Sequence, residues 1–191
     1  MAFTMPNFAK PLRLGLLLWL VLLPALSFAN PASTEVRHAE LIDHHDGYQI
    51  KTEINYQLSA TAKEALDKGI PLAWDIYLEI RRPGFLWGPT LYKDKLRYTL
   101  QYHALLKQYA VKEPNGNSEM FLTLTAALNF MSLPHPIRVI DYQLLESGKR
   151  YQLAVRSKFN REQLPVPLRP FAYLDSQWFL SSSWFLWPIQ K

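Results

Sequence analysis

Strict alternation of apolar and polar residues constrains this chain more than any other feature. Between residues 48 and 58, Tyr48, Ile50, Ile54, Tyr56 and Leu58 share one face, and Gln49, Lys51, Glu53, Asn55 and Gln57 share the other. Residues 72–80 repeat the pattern, with Leu72, Trp74, Ile76, Leu78 and Ile80 opposite Asp75, Tyr77 and Glu79. Leu96, Tyr98, Leu100 and Tyr102 alternate with Arg97, Thr99, Gln101 and His103, and Tyr151, Leu153, Val155 and Phe159 with Gln152, Arg156 and Lys158. A period of two with one wet face is the mark of half-buried antiparallel strands.

Turn residues separate these runs. Residues 43–47 join a weaker first strand, 35–42, to the second as a hairpin. Arg82, Pro83 and Gly84 through Gly88 and Pro89 close a longer hairpin, residues 146–149 a third, and residues 113–117 form another turn. Two short helices interrupt the strands. Ser59 can cap residues 60–68, with Ala62, Ala65 and Leu66 as the inner stripe and Gly69 as the stop. Thr123 can cap residues 124–131, with Leu124, Leu128 and Met131 on one side. Three prolines at 165, 167 and 170 predict an extended segment over residues 161–170 that cannot pair as a central strand. The aromatic run 177–189 reads as a strand buried on both faces, with a partly exposed aromatic ledge or a membrane-interface contact as the alternatives. The fold class that follows is mainly β (α+β), an antiparallel β-sandwich or strongly curled sheet with two short helices.

Residues 1–29 read as a cleaved signal peptide. Lys10 and Arg13 precede an apolar run of about ten residues, and Ser27 to Ala29 supply the small-x-small pattern read by a signal peptidase. The run is well short of the roughly 20 residues that span a bilayer. Residues 30–191 are then a single β-rich domain, delivered to the periplasm with no transmembrane span and, lacking cysteine, with neither disulfides nor a lipid-modified N-terminus. Loss of Lys10 and Arg13 lowers the net charge from +5 to +3. That is too mild to imply nucleic acid, yet it suits anionic envelope partners.

No catalytic pattern stands out, and no cofactor is expected. Adjacent His44 and His45, flanked by Asp43 and Asp46, would point to opposite faces of a strand, so a hairpin tip is favoured over a metal site. Glu53, Asp75 and Glu79 could serve an envelope glycan or lipid hydrolase only as a cross-strand pair. Asp75 and Glu79 themselves stand roughly 13 Å apart along one strand, beyond the carboxylate spacing of an inverting glycosidase. Ser181 to Ser183 with His103 lack a nucleophile elbow. The broadest pattern is basic: Lys95, Arg97, His103, Arg156 and Lys158 all fall on polar faces, and would form a positive stripe if their strands were neighbours.

The chain resembles a proteobacterial exported family, domain of unknown function 4390. The resemblance runs through Leu58, Ser59, Ala65, Leu66 and Gly69 to Leu72, then Arg97, Tyr98, Leu105, Gln108 and Tyr109. It continues through Leu124, Ala127, Leu128, Leu164, Pro165, Pro167 to Arg169, Trp178, Ser182 and Trp184. The resemblance implies an exported protein without assigned activity, often encoded beside nitrogen-regulation-type sensor histidine kinases, and hence a kinase periplasmic domain as a conceivable partner. The expected function is a non-enzymatic periplasmic binding or accessory module that engages an envelope protein through a sheet edge or aromatic ledge. Trp87 and Trp184 are the expected contacts, with Arg97 for an anionic group. The alternatives are the envelope hydrolase and an anionic lipid- or glycan-binding module.

Overall fold

The computed structural model describes residues 33–84, 88–134 and 139–190. Among them are eight strands: β1 (Ser33–His44), β2 (Gly47–Gln57), β3 (Leu72–Arg81), β4 (Thr90–His103), β5 (Gln108–Lys112), β6 (Ser118–Phe121), β7 (Arg150–Phe159) and β8 (Phe185–Gln190). Strands β1 and β2 form a two-stranded hairpin. The other six make one antiparallel sheet in the order β6-β5-β4-β3-β7-β8. The expectation of a mainly β, antiparallel fold holds. No described helix is long and apolar enough to cross a membrane, and the proposed leader, residues 1–29, lies outside the described residues.

The register explains why alternation was so informative. Trp74 pairs across to Tyr98 on β4 and Phe159 on β7, and Ile76 to Leu96 and Ser157. These residues are all buried, so one face of the large sheet is core. The hairpin lies over that face: Tyr56 meets Trp74 edge-on at 5.4 Å between ring centroids, and β1 packs along β7 and β8. Burial pushes the Tyr56 phenol well above its usual range, although a hydrogen bond with Ser157 works the other way. Leu180 binds the layers together. Its carbonyl accepts from Thr34 Oγ1 at 2.8 Å and from Trp74 Nε1 at 3.0 Å.

Helices α1 (Ala60–Asp67) and α2 (Leu124–Ser132) start at the residues expected to cap them. Ser59 Oγ accepts from the Ala62 amide and Thr123 Oγ1 from that of Ala126. Gly69, at a φ of +80°, ends α1, and its amide donates to the Leu66 carbonyl at 2.8 Å. Helix α2 packs against β2 and also against β5 and β6, so it extends the second layer beyond the hairpin. Gly47 sits where only glycine fits. A Cβ there would lie 2.1 Å from the Ile140 carbonyl oxygen, which accepts from the Tyr48 amide.

Three expectations fail, all in the C-terminal third. The proline-rich segment is not extended: it folds into 3-10 turns at Arg161–Gln163 and Val166–Leu168 and a third short helix, α3 (Arg169–Leu174). Pro170 stands in the first turn of α3, where the missing amide would have had no helical partner anyway. Nor is the run 177–189 a strand buried on both faces. Only Phe185–Gln190 is a strand, at the sheet's edge, with Leu186 and Trp187 exposed. Just before it, serine hydroxyls stand in for a strand's carbonyls. Ser182 Oγ accepts from the Ser157 amide and Ser181 Oγ from that of Phe159, each at 2.9 Å. The turn at 146–149 also precedes β7 without a partner strand before it, because Tyr142–Leu144 is a 3-10 turn.

Candidate functional site

The face of the large sheet turned away from the core carries the charge. Register sets its side chains in rows: Arg97, Asp75 and Lys158 across β4, β3 and β7, then Lys95, Tyr77 and Arg156, then Lys93, Glu79 and Ala154. Opposite residues on neighbouring antiparallel strands lie about 4.5–5.5 Å apart at Cβ. The first two rows therefore flank Asp75 and Tyr77 with four cations, those of each row about 10 Å apart across β3. They floor a cleft of about 480 Å³ whose wall is built by Asn160, Arg161 and Glu162, with Tyr173 from α3 and Ser181. Five cationic side chains line it against two carboxylates.

One of those carboxylates is already used. Asp75 is buried and receives Arg97 in a forked pair, Nε to Oδ1 at 2.6 Å and Nη2 to Oδ2 at 3.1 Å, with Asn160 Nδ2 donating at 2.9 Å. Burial alone would raise its pKa. The hydrogen bond and charge of Arg97, Asn160 and the charge of Lys95 outweigh that, and the carboxyl is held below its usual range. The bond to Asp75 correspondingly raises Arg97. Asp75 thus organises the floor and is poorly placed to act as an acid or base.

The remaining cations face outward. Among the described residues no carboxylate pairs with Lys95, Arg156, Lys158 or Arg161. Arg156 is steadied by donating Nε to the Ser182 carbonyl at 3.2 Å. Arg161 is clamped between rings, its guanidinium 5.2 Å from the Tyr173 centroid and 4.9 Å from that of Phe179. Its Nε is buried without a hydrogen-bond partner. Fixed cations at the edge of a low-dielectric wall are a strong arrangement for holding an anion.

The expected site residues separate. Arg97 lies in the cleft floor. Trp184 is half-buried beside the cleft, with the Arg81 guanidinium 4.8 Å and that of Arg156 5.9 Å from its ring, so it is not an open ledge. Trp87 lies outside the described residues. His103, six residues beyond Arg97 on β4, does not line the cleft. Arg161 was missed because its segment was read as extended, and Tyr173, just beyond that segment, was assigned to no element. Their only sequence signal was Arg161 adjoining a proline-rich stretch.

The carboxylates do not assemble into a catalytic pair. Glu53 is exposed on the outer face of the hairpin, with the whole core between it and Asp75. Glu79 is held by Arg81, whose Nε donates at 2.7 Å, and approached by Lys93 Nζ at 3.9 Å. His44 and His45 meet edge-on at a two-residue hairpin turn, and no group of three potential ligands for a metal occurs among the described residues.

Fold and cleft together define a small two-layer antiparallel β domain with a cation-lined sheet face. Within that class, residues 32–188 match the family described as Domain of unknown function (DUF4390), and the chain belongs to it. No curated protein and no solved structure matches it.

Proposed function

We propose that this protein is an exported, non-enzymatic binding module that holds an anionic group in the cleft on its polar sheet face. The observation that carries the reading is the convergence of Lys95, Arg97, Arg156, Lys158 and Arg161 on one concavity, with a single carboxylate among the strands of its floor. Export is supported by the leader pattern of residues 1–29, and the absence of chemistry by the way Asp75 and Glu79 are neutralised in place. Recognition of a partner by strand addition to the six-stranded sheet gains little support. One sheet edge, β6, is four residues long, and the other, β8, contains Pro188, which cannot donate to a ladder.

The test is calorimetric titration with glycerol phosphate and with a glucuronate oligosaccharide at low and moderate salt. Binding of one of them, weakening as salt rises, is expected. A variant with Arg156→Gln and Lys158→Gln should lose it, whereas Asp75→Asn should tighten it by adding a net positive charge to the cleft. Equal affinity in the wild type and the double variant would overturn the reading, as would failure of both probes to bind.

A further inference from the structure

The cleft is continuous with an apolar prominence that the fold leaves uncovered. In α3 only Ala172 turns inward. At about 100° per residue, the side directly opposite Ala172 falls close to Leu174, with Phe171 and Tyr173 to either side of it. Exposure follows that geometry: 84% for Leu174, 65% for Phe171 and 51% for Tyr173. Phe179, 49% exposed, joins the group through Arg161, which lies against both its ring and that of Tyr173. Single exposed apolar residues are ordinary; four large ones gathered within nine residues are not. Tyr173 also lines the cleft, so the apolar group and the cations form one surface.

We infer that this surface docks on an anionic lipid bilayer, with Leu174, Phe171, Tyr173 and Phe179 entering the interface and the cleft taking lipid phosphates. The inference rests on the anion-binding reading above and names its ligand. Charge and polarity choose the occupant. Aromatic rings favour the boundary between headgroups and acyl chains, where a bilayer offers apolar depth directly beside a plane of phosphates. The cations lie beside the apolar group, as that layering requires. Stable attachment to a membrane generally needs two such signals acting together, and here both are on one surface. The six-residue α3 acts as a wedge, supported by the 3-10 turns at Arg161–Gln163, Val166–Leu168 and Ser176–Trp178.

The chain has no cysteine, so a single introduced thiol can carry a probe. An environment-sensitive fluorophore is attached at Leu174→Cys and, as a control, at Glu119→Cys on β6. Each labelled protein is titrated with phosphatidylcholine vesicles, with and without phosphatidylglycerol. The label at 174 should shift to the blue only with the anionic vesicles, and the label at 119 should not respond. Adding Arg156→Gln and Lys158→Gln to the Leu174→Cys protein should weaken the vesicle response by about tenfold or more. No shift at 174, or an equal shift at 119, would overturn membrane docking. Retained binding of glycerol phosphate in that case would leave the cleft reading standing. A vesicle response at 174 indifferent to the two cleft substitutions would overturn the joint action of wedge and cleft. Circular dichroism confirms that each variant is folded.

Discussion

Replacing Arg97 by alanine should destabilise the protein far more at neutral pH than in acid. Arg97 is the main partner of a carboxylate whose side chain is 6% exposed, while its own side chain is 40% exposed. At the roughly 4 Å that separates charge centres in a forked pair, an effective dielectric of 20 gives about 4 kcal/mol of attraction. Half-exposure of the guanidinium lets solvent screen part of that, and exposed pairs are worth about 1 kcal/mol or less. Stranding a buried charge costs about 3–5 kcal/mol. Asp75 keeps Asn160 as a donor and gains some access to water, so we expect a loss near 3 kcal/mol at pH 7. The pH dependence follows from the sign of the shift. In the wild type the carboxyl is held below its unfolded value, so its contribution is present above about pH 4 and fades as pH falls through the lowered native value. In Arg97→Ala, burial is opposed only by Asn160 and Lys95, so the carboxyl moves up and the stabilisation it gave at neutral pH is lost. The difference between the two proteins therefore closes as pH falls. Urea unfolding at neutral pH and at successively lower pH values measures it, and Asp75→Asn in both backgrounds completes a double-mutant cycle. A loss below about 1 kcal/mol at pH 7, or one unchanged in acid, would refute the reasoning.

Three further outcomes test other parts of the structure. Gly47→Ala should cost at least about 2 kcal/mol in chemical denaturation, because its Cβ would drive into the Ile140 carbonyl. Ser182→Ala should cost about 1–3 kcal/mol by leaving the buried Ser157 amide without its acceptor, and faster hydrogen exchange at that amide would show the cause. Ser59→Ala should cost about 1 kcal/mol through the lost cap of α1, and Ser59→Asp should largely preserve the melting temperature.

What the sequence disclosed follows from the range over which each rule acts. Alternation reports a strand's two faces without knowledge of its neighbours, so Lys95, Arg97, Arg156 and Lys158 could be assigned to polar faces from spacing alone. Their convergence needed β3 between β4 and β7, which no local pattern specifies. The pair of Asp75 with Arg97, 22 residues apart, was hidden for the same reason. Capping is a rule of three or four residues, and it placed the starts of α1 and α2 correctly. Proline misled. Between residues 161 and 170 it was read as holding the chain extended, although Pro170 in the first turn of α3 satisfies helix geometry. That misreading hid Arg161, and Tyr173, just beyond the segment, was assigned to no element, so the wall of the cleft went unseen.

The shared acceptor at Leu180 has a kinetic consequence. Its two donors lie 146 and 106 residues earlier in the chain. Neither contact exists until almost the whole polypeptide is available, and the strand that closes the sheet's edge comes later still. Contacts this distant in sequence make loop closure the main obstacle and slow the search for the native state. Refolding on the slow side for a domain of this size is expected. A chain truncated just before Leu180 should lack cooperative unfolding altogether, because the two layers would have lost the carbonyl on which both are hung.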